Sequence, residues 1–148
     1  MNVERDGFLI STEPARLDLD AVERLLRGSY WAAERSRNSI ERSVRHALCF
    51  GLYEIASGRQ IGLTRVVTDY VTFAWICDVV IEEKYRGKGL GTWMMESLFS
   101  CPEIRDVGRW ILATRDAHGL YERYGFTPMA RPDRWMERIR SKTDCTQQ

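Results

Sequence analysis

The hydrophobic rhythm of this chain predicts an α/β fold of the α+β kind: a mixed, mainly antiparallel central sheet with helices on both faces. Three observations carry the prediction. Leu48 to Ile81 contains three β-prone runs separated by turns, Leu90 to Phe99 returns to helical spacing, and two helical crossovers follow the meander. Hairpin-linked strands pair antiparallel and strands reached through a helix pair parallel, so such a sheet is mixed.

Taken in order, Phe8-Leu9-Ile10-Ser11 is a short β-prone stretch. Asp18-Leu19-Asp20 can cap a helix whose apolar residues Leu19, Val22, Leu25 and Leu26 recur at helical spacing until Gly28 stops it. Ser29 to Arg37 is polar and arginine-bearing, with adjacent aromatics at Tyr30 and Trp31 and no clear period, and reads as a loop or irregular turn. Asn38 to His46 forms a second short helix, with Asn38 as its cap and Ile40 and Val44 on one face. The meander runs Leu48 to Ile55, Gln60 to Val67 and Val71 to Ile81, with turns at Ser57-Gly58-Arg59 and Thr68-Asp69-Tyr70. Leu90, Trp93, Met94 and Leu98 line the next helix, which Pro102 ends. Trp110 to Ala113 is a short buried strand, Ala117 to Tyr124 a short helix stopped by Gly125, and Phe126 to Ile139 supplies one or two last strands. Residues 1–140 are expected to form a single domain and 141–148 a frayed tail.

With 148 residues, 44% hydrophobic and 29% charged, the composition is that of a soluble globular chain with one core. No apolar run approaches the roughly 20 residues that span a bilayer, so no membrane partner is expected. The N-terminus, MNVERDGFLISTEPARL, lacks the pattern of a secretory signal, which makes the cytoplasm the expected compartment. Cys49, Cys77, Cys101 and Cys145 are too scattered for a zinc pattern and would stay reduced there, so neither a metal nor a disulfide framework is expected. The 22 basic and 21 acidic residues leave a net charge of +1, none of the excess that drives nucleic-acid affinity.

The densest chemical signal is Glu83 to Thr92, EKYRGKGLGT. Convergent backbone N–H groups bind anions where the chain can adopt positive φ, and Gly87, Gly89 and Gly91 give that freedom just where a helix begins. A phosphate or pyrophosphate is the natural ligand; a plain glycine-rich turn is the alternative for the glycines alone. The spacing fits neither a dinucleotide fingerprint nor a P-loop, and a kinase glycine loop fails likewise.

The spacing that does fit is R-x-x-G-x-G, at Arg86-Gly87-Lys88-Gly89-Leu90-Gly91, and it resembles the acyl-CoA-binding motif of the GNAT superfamily of N-acetyltransferases. A second stretch, Ala117-His118-Gly119-Leu120-Tyr121-Glu122-Arg123-Tyr124-Gly125-Phe126, is similar to that superfamily's A-x-x-L-Y-x-x-x-G-F segment. One departure is visible: Thr114 stands where the family often has an asparagine.

The resemblance implies a GNAT-like acyl-CoA N-acyltransferase fold and acetyl-CoA as cosubstrate. It implies that Arg86 to Thr92 hold the pyrophosphate and that Val79, Val80 and Ile81 bind the pantetheine arm through main chain, as an added strand would be bound. His118, three residues before Tyr121 on the same helical face, is a candidate cofactor contact or proton relay, with a purely structural histidine as the competing reading. Tyr121 matches the family's acid for the departing thiolate, while Tyr124 reads as core.

An amine of pKa ~10.4 is neutral in only about 0.04% of molecules at pH 7, so a proton acceptor is needed. Asp78 interrupts an apolar strand on the face of Ile76 and Val80, where burial would raise its pKa and suit a general base; a structural Asp bound to an arginine is the competing reading. Glu54, Glu82 and water are weaker options. Cys77, on the apolar face with Phe73, Trp75, Val79 and Ile81, reads as a buried inert thiol rather than an acyl carrier. Tyr30, Trp31, Arg35 and Arg37 are candidates for the acceptor pocket and suit a ligand with a flat or anionic part.

The expected function is transfer of acetyl from acetyl-CoA to a primary amine of a small-molecule or peptide acceptor by direct attack in a ternary complex. The alternatives are a non-catalytic acyl-CoA sensor or interaction module, and an ATP-binding protein. The acceptor's identity and the oligomeric state stay open, a homodimer among the options.

Overall fold

The computed structural model describes residues 1–139. They group into two compact units, Met1–Ala113 and Thr114 onward. The first unit contains a six-stranded sheet in the order β1-β2-β3-β4-β5-β6: Asn2–Arg5, Phe8–Ser11, Leu48–Glu54, Arg59–Thr68, Ala74–Ile81 and Trp110–Leu112. Every neighbouring pair is antiparallel except β5 and β6, so the sheet is mixed and mainly antiparallel, as the hydrophobic rhythm predicts.

Two helices precede β3. In α1 (Leu19–Arg27) Asp18 caps the first turn, its Oδ1 accepting from the N–H groups of Asp20 at 2.9 Å and Ala21 at 3.1 Å. In α2 (Arg37–Arg45) the cap is Ser36 rather than Asn38, because the extended backbone of Ser36 lets its Oγ accept from Ser39 N–H at 3.3 Å. Both helices bury one face on the sheet: Val22, Leu25 and Leu26 of α1 join Ile40 and Val44 of α2 over Cys49, Leu63 and Val80. Fully burying each aliphatic side chain contributes about 1.5–3 kcal/mol before the entropy of ordering it is counted. α3 (Leu90–Ser100) lies on the opposite face, since Gly91 sits 3.7 Å from the Ile81 side chain and successive strand residues point to opposite sides.

Two strands of this sheet depart from expectation. β1 is an additional strand whose four residues are all exposed, so no apolar alternation announces it. Its hairpin turn is Asp6-Gly7, with φ of 49° and 82°, a two-residue geometry that matches strand twist. β5 starts at Ala74 instead of Val71, because Asp69 Oδ1 accepts from the N–H groups of Val71, Thr72 and Phe73 and so holds them out of the ladder.

The second unit holds α4 (His118–Glu122) and a 3-10 turn at Pro132–Arg134, and the strands expected from Phe126 to Ile139 do not form among the described residues. Pro128 and Pro132 remove ladder donors from that stretch, and Met136 and Ile139 are exposed. The expected frayed tail, 141–148, lies outside the described residues.

Candidate active site

The glycine loop joins β5 to α3. A 3-10 turn at Glu83–Tyr85 leads into it, anchored by Tyr85, which is buried edge-on to Phe8 and donates its hydroxyl to Glu54 Oε1 at 3.0 Å. Gly87 and Gly89 both adopt left-handed backbone, with φ of 75° and 74°, and nothing lies within 4 Å of where a Cβ would stand on either. Gly89 is the N-cap of α3 and supplies no side-chain acceptor. The first helical bond runs from Trp93 N–H to Gly89 C=O, so the N–H groups of Leu90 and Gly91 have no acceptor one turn back within the helix. The loop thus offers main-chain donors, the positive end of a helix dipole and open space, which is what a pyrophosphate needs.

The two loop cations behave differently. Arg86 Nε donates to Ile81 C=O at 2.9 Å and so ties the loop back to the end of β5. Lys88 stays exposed, with Nζ 5.2 Å from the Tyr85 ring centroid, and Lys84 stacks on the same ring at 4.9 Å. Thr92, half-buried, stands in the first turn of α3.

β5 is paired on its outer side only at its start. β6 matches Ala74, Trp75 and Ile76 and then ends, leaving Cys77 to Ile81 without a strand on that side among the described residues. Val79 and Ile81 are half-buried and Val80 is core. An extended ligand could pair with this edge as a further strand.

A β-bulge interrupts β5 at the same point. Leu63 faces Val80 and Arg65 faces Cys77, so Asp78 and Val79 together oppose Thr64. Asp78 carries the strain, with φ of 49°. Its side chain is 2% exposed and both oxygens are occupied: Trp31 Nε1 donates to Oδ1 at 3.1 Å, while Arg35 at 2.7 Å and Arg65 at 2.6 Å donate to Oδ2.

This environment reverses the pKa expected for Asp78. Burial alone would raise it, but the hydrogen bond from Arg35 and the charge and hydrogen bond of Arg65 outweigh burial and hold the carboxyl below its ordinary value. The other carboxylates weighed for proton transfer are also engaged. Glu54 accepts from Ser57 and Tyr85, which lower its pKa, and Glu82 pairs with Arg59 at 2.9 Å. Cys77 is half-buried rather than buried, on a face that includes Trp75 at 46% exposure; burial still pushes its thiol up.

Trp31, Arg35 and Asp78 are therefore brought together. Tyr30 stacks edge-on to Trp31 at 5.0 Å, whereas Arg37 is directed elsewhere, to Asp20 and Glu23. Arg65 is the member that sequence reasoning missed. Its signal was present: a lone cation in the apolar run from Ile61 to Val67, on the strand that hairpins with Asp78.

In the second unit Tyr121 is buried on α4, its ring edge-on to Phe126 at 6.0 Å, while His118 one turn earlier is exposed and Tyr124 half-buried. Gly125, at φ 82°, turns the chain so that Phe126 N–H reaches Tyr121 C=O. Thr114 Oγ1 accepts from Ala117 N–H at 3.0 Å and fixes the approach to this helix.

The GNAT acetyltransferase domain family matches residues 45–128, a span that includes the glycine loop, the bulge and Tyr121. The chain belongs to the GNAT acetyltransferases. A candidate acetyltransferase of Gibberella zeae is 32% identical over 142 residues, covering 81% of this chain and 78% of its own. A candidate GNAT acetyltransferase of Xanthomonas campestris pv. campestris is 37% identical and superposes with a TM-score of 0.85, over 92% of this chain and 95% of its own. Glucosamine-6-phosphate N-acetyltransferase of Arabidopsis thaliana, 19% identical over 90% of this chain and 99% of its own, shares the fold with a TM-score of 0.61. GNAT enzymes use acetyl-CoA, and the cradle at Gly87 and Gly89 together with the open edge of β5 fits a pyrophosphate joined to an extended arm.

Proposed function

We propose that the protein is an acetyl-CoA-dependent N-acetyltransferase acting on a primary amine of a small-molecule or peptide acceptor, by direct attack in a ternary complex. The observation that carries this reading is the pair of left-handed glycines at the start of α3, open above each Cβ position and adjoining the unpaired stretch of β5.

Bound acetyl-CoA would supply an activated thioester carbonyl and a thiolate leaving group. In this reading Arg86 to Thr92 hold the pyrophosphate, chiefly through main-chain N–H groups, with Lys88 adding charge from outside. Main-chain groups of Val79 to Ile81 hold the arm, and His118 is a peripheral contact. The Tyr121 phenol gives its proton to the departing sulfur. Water takes the amine's proton, because Asp78 has both oxygens engaged and a lowered pKa. Asp78 is assigned to positioning Trp31 and Arg35, which with Tyr30 border the acceptor. Direct attack is favoured over a Cys77 acyl carrier because burial pushes that thiol's pKa up, away from the thiolate such a carrier needs.

The two units are read as one catalytic domain, since the family match runs through both. The cytoplasm is the proposed compartment, where Cys49, Cys77 and Cys101 would remain thiols. Free thiol should appear when acetyl-CoA is mixed with a panel of amines, and Tyr121→Phe should lower turnover about 10²–10⁴-fold. An unchanged rate in that variant removes the acid assignment. Tight acetyl-CoA binding with no thiol release on any amine favours a non-catalytic binding module instead.

A further inference from the structure

Arg35 and Arg65 converge on a single carboxylate oxygen, Asp78 Oδ2, at 2.7 and 2.6 Å. One carboxylate between two guanidiniums leaves the cluster with a positive charge in excess. The cluster is also poorly placed for solvent to compensate it: the Arg65 side chain is 13% exposed and that of Arg35 25%.

Donors are in excess as well. A guanidinium has five N–H donors, yet Arg65 donates to described residues through Nε alone and Arg35 through NH1 alone. The remaining N–H groups of both forks stay within reach of solvent, and an anion bound there would satisfy charge and hydrogen bonds together. Asp78 and the Trp31 indole N–H fix the forks beforehand, so the freedom lost on binding is small. Tyr30 and Trp31, 53% and 43% exposed, provide an aromatic border beside them.

We infer that the acceptor is an amine that also carries an anionic group, a carboxylate or a phosphate, read by the free edges of Arg65 and Arg35. This rests on the N-acetyltransferase reading for the amine, but the anion site itself rests only on the cluster. Asp78 then acts as a positioning residue whose charge is deliberately insufficient for its two partners.

The test is an equilibrium measurement on the full chain with CoA present, following the Trp31 indole N–H resonance, assigned with Trp31→Phe. Two matched pairs are titrated: phenylalanine against 2-phenylethylamine for the carboxylate, and O-phosphoethanolamine against ethanolamine for the phosphate. The anion-bearing member of at least one pair should bind about 10-fold or more tightly than the partner that lacks the anion, and move the Trp31 signal. Which pair discriminates identifies the anion. Arg65→Met should abolish the preference and Arg65→Lys retain part of it, and if Arg65→Met does not fold, the more exposed Arg35→Gln carries the same test. Equal binding within both pairs, no binding by either anionic probe, or a preference that survives both Arg65→Met and Arg35→Gln overturns the inference. The thiol-release assay is read separately. Acetylation only of amines that lack an anionic group would sink the anion site and keep the enzyme, and an anion preference without thiol release on any amine would do the reverse.

Discussion

In the loop from Arg86 to Thr92 the polar groups that matter belong to the main chain, at exposed glycines with empty space above them; around Asp78 they belong to side chains that face one another. The loop depends on conformation, because any residue that could hold φ near 75° would present the same N–H groups, and glycine is the residue that does so without strain. The cluster depends on composition, because an indole and two guanidiniums must all be present to occupy both oxygens of the carboxylate. A site for an invariant ligand part can be built from backbone. A site proposed to choose among acceptors calls for side chains.

Three measurements can break or sharpen this contrast. The largest effect is expected from Asp78→Ala, which leaves the buried Arg65 and the Trp31 indole without their partner. Loss of one member of a buried ion pair costs about 3–5 kcal/mol, to be read by denaturant unfolding. A loss comparable to that of an exposed substitution would mean that water replaces the carboxylate and that the cluster is not a closed unit.

Gly89→Val should come next. Forcing a branched residue into left-handed backbone costs about 1–2 kcal/mol, and acetyl-CoA affinity measured by calorimetry should fall about 10-fold or more as the cradle shifts. Unaltered affinity would show that the side chains of Arg86 and Lys88, rather than the backbone, hold the anion.

The smallest effect concerns acid. The folded-state pKa of Asp78 lies below its unfolded value near 3.9, so its contribution is fully present above that pH and is lost as pH falls toward the folded value. Asp78→Asn should therefore be less stable than the parent near pH 6, and the two melting curves should converge below about pH 4. Parallel curves across that range would remove Asp78 from the acid limb.

The loop was legible in the sequence because its information is local: seven consecutive residues fix the turn, the cap and the helix start. The meander and the core faces of α1 and α2 were legible for the same reason, since Val22, Leu25 and Leu26 repeat within one helix. The Asp78 cluster was legible only in pieces. Its members come from the α1–α2 connection, β4 and β5, and nothing short of the hairpin register brings Arg65 beside the bulge. Asp78 looked like a raised carboxyl because its sequence neighbours are apolar, and neighbours in sequence do not disclose a guanidinium 13 positions away. Phe126 to Ile139 erred in the other direction: apolar composition suggested strands, but Pro128 and Pro132 withhold the N–H groups a ladder requires.

The bulge has a further consequence for how the sequence can change. A one-residue deletion in an ordinary strand exchanges its two faces, so that core residues meet water. β5 already contains a phase slip, one surplus residue between Cys77 and Val80. Its first half keeps step with β6, its second half keeps step with the glycine loop, and the slip lies between them. Removing Val79 would realign the ladder, and the cost would fall on the Asp78 carboxylate, which would lose the left-handed backbone that aims it at Arg35, Arg65 and Trp31. The strand thus works as two short segments joined by a hinge of fixed angle, each free to drift in sequence without dragging the other out of register.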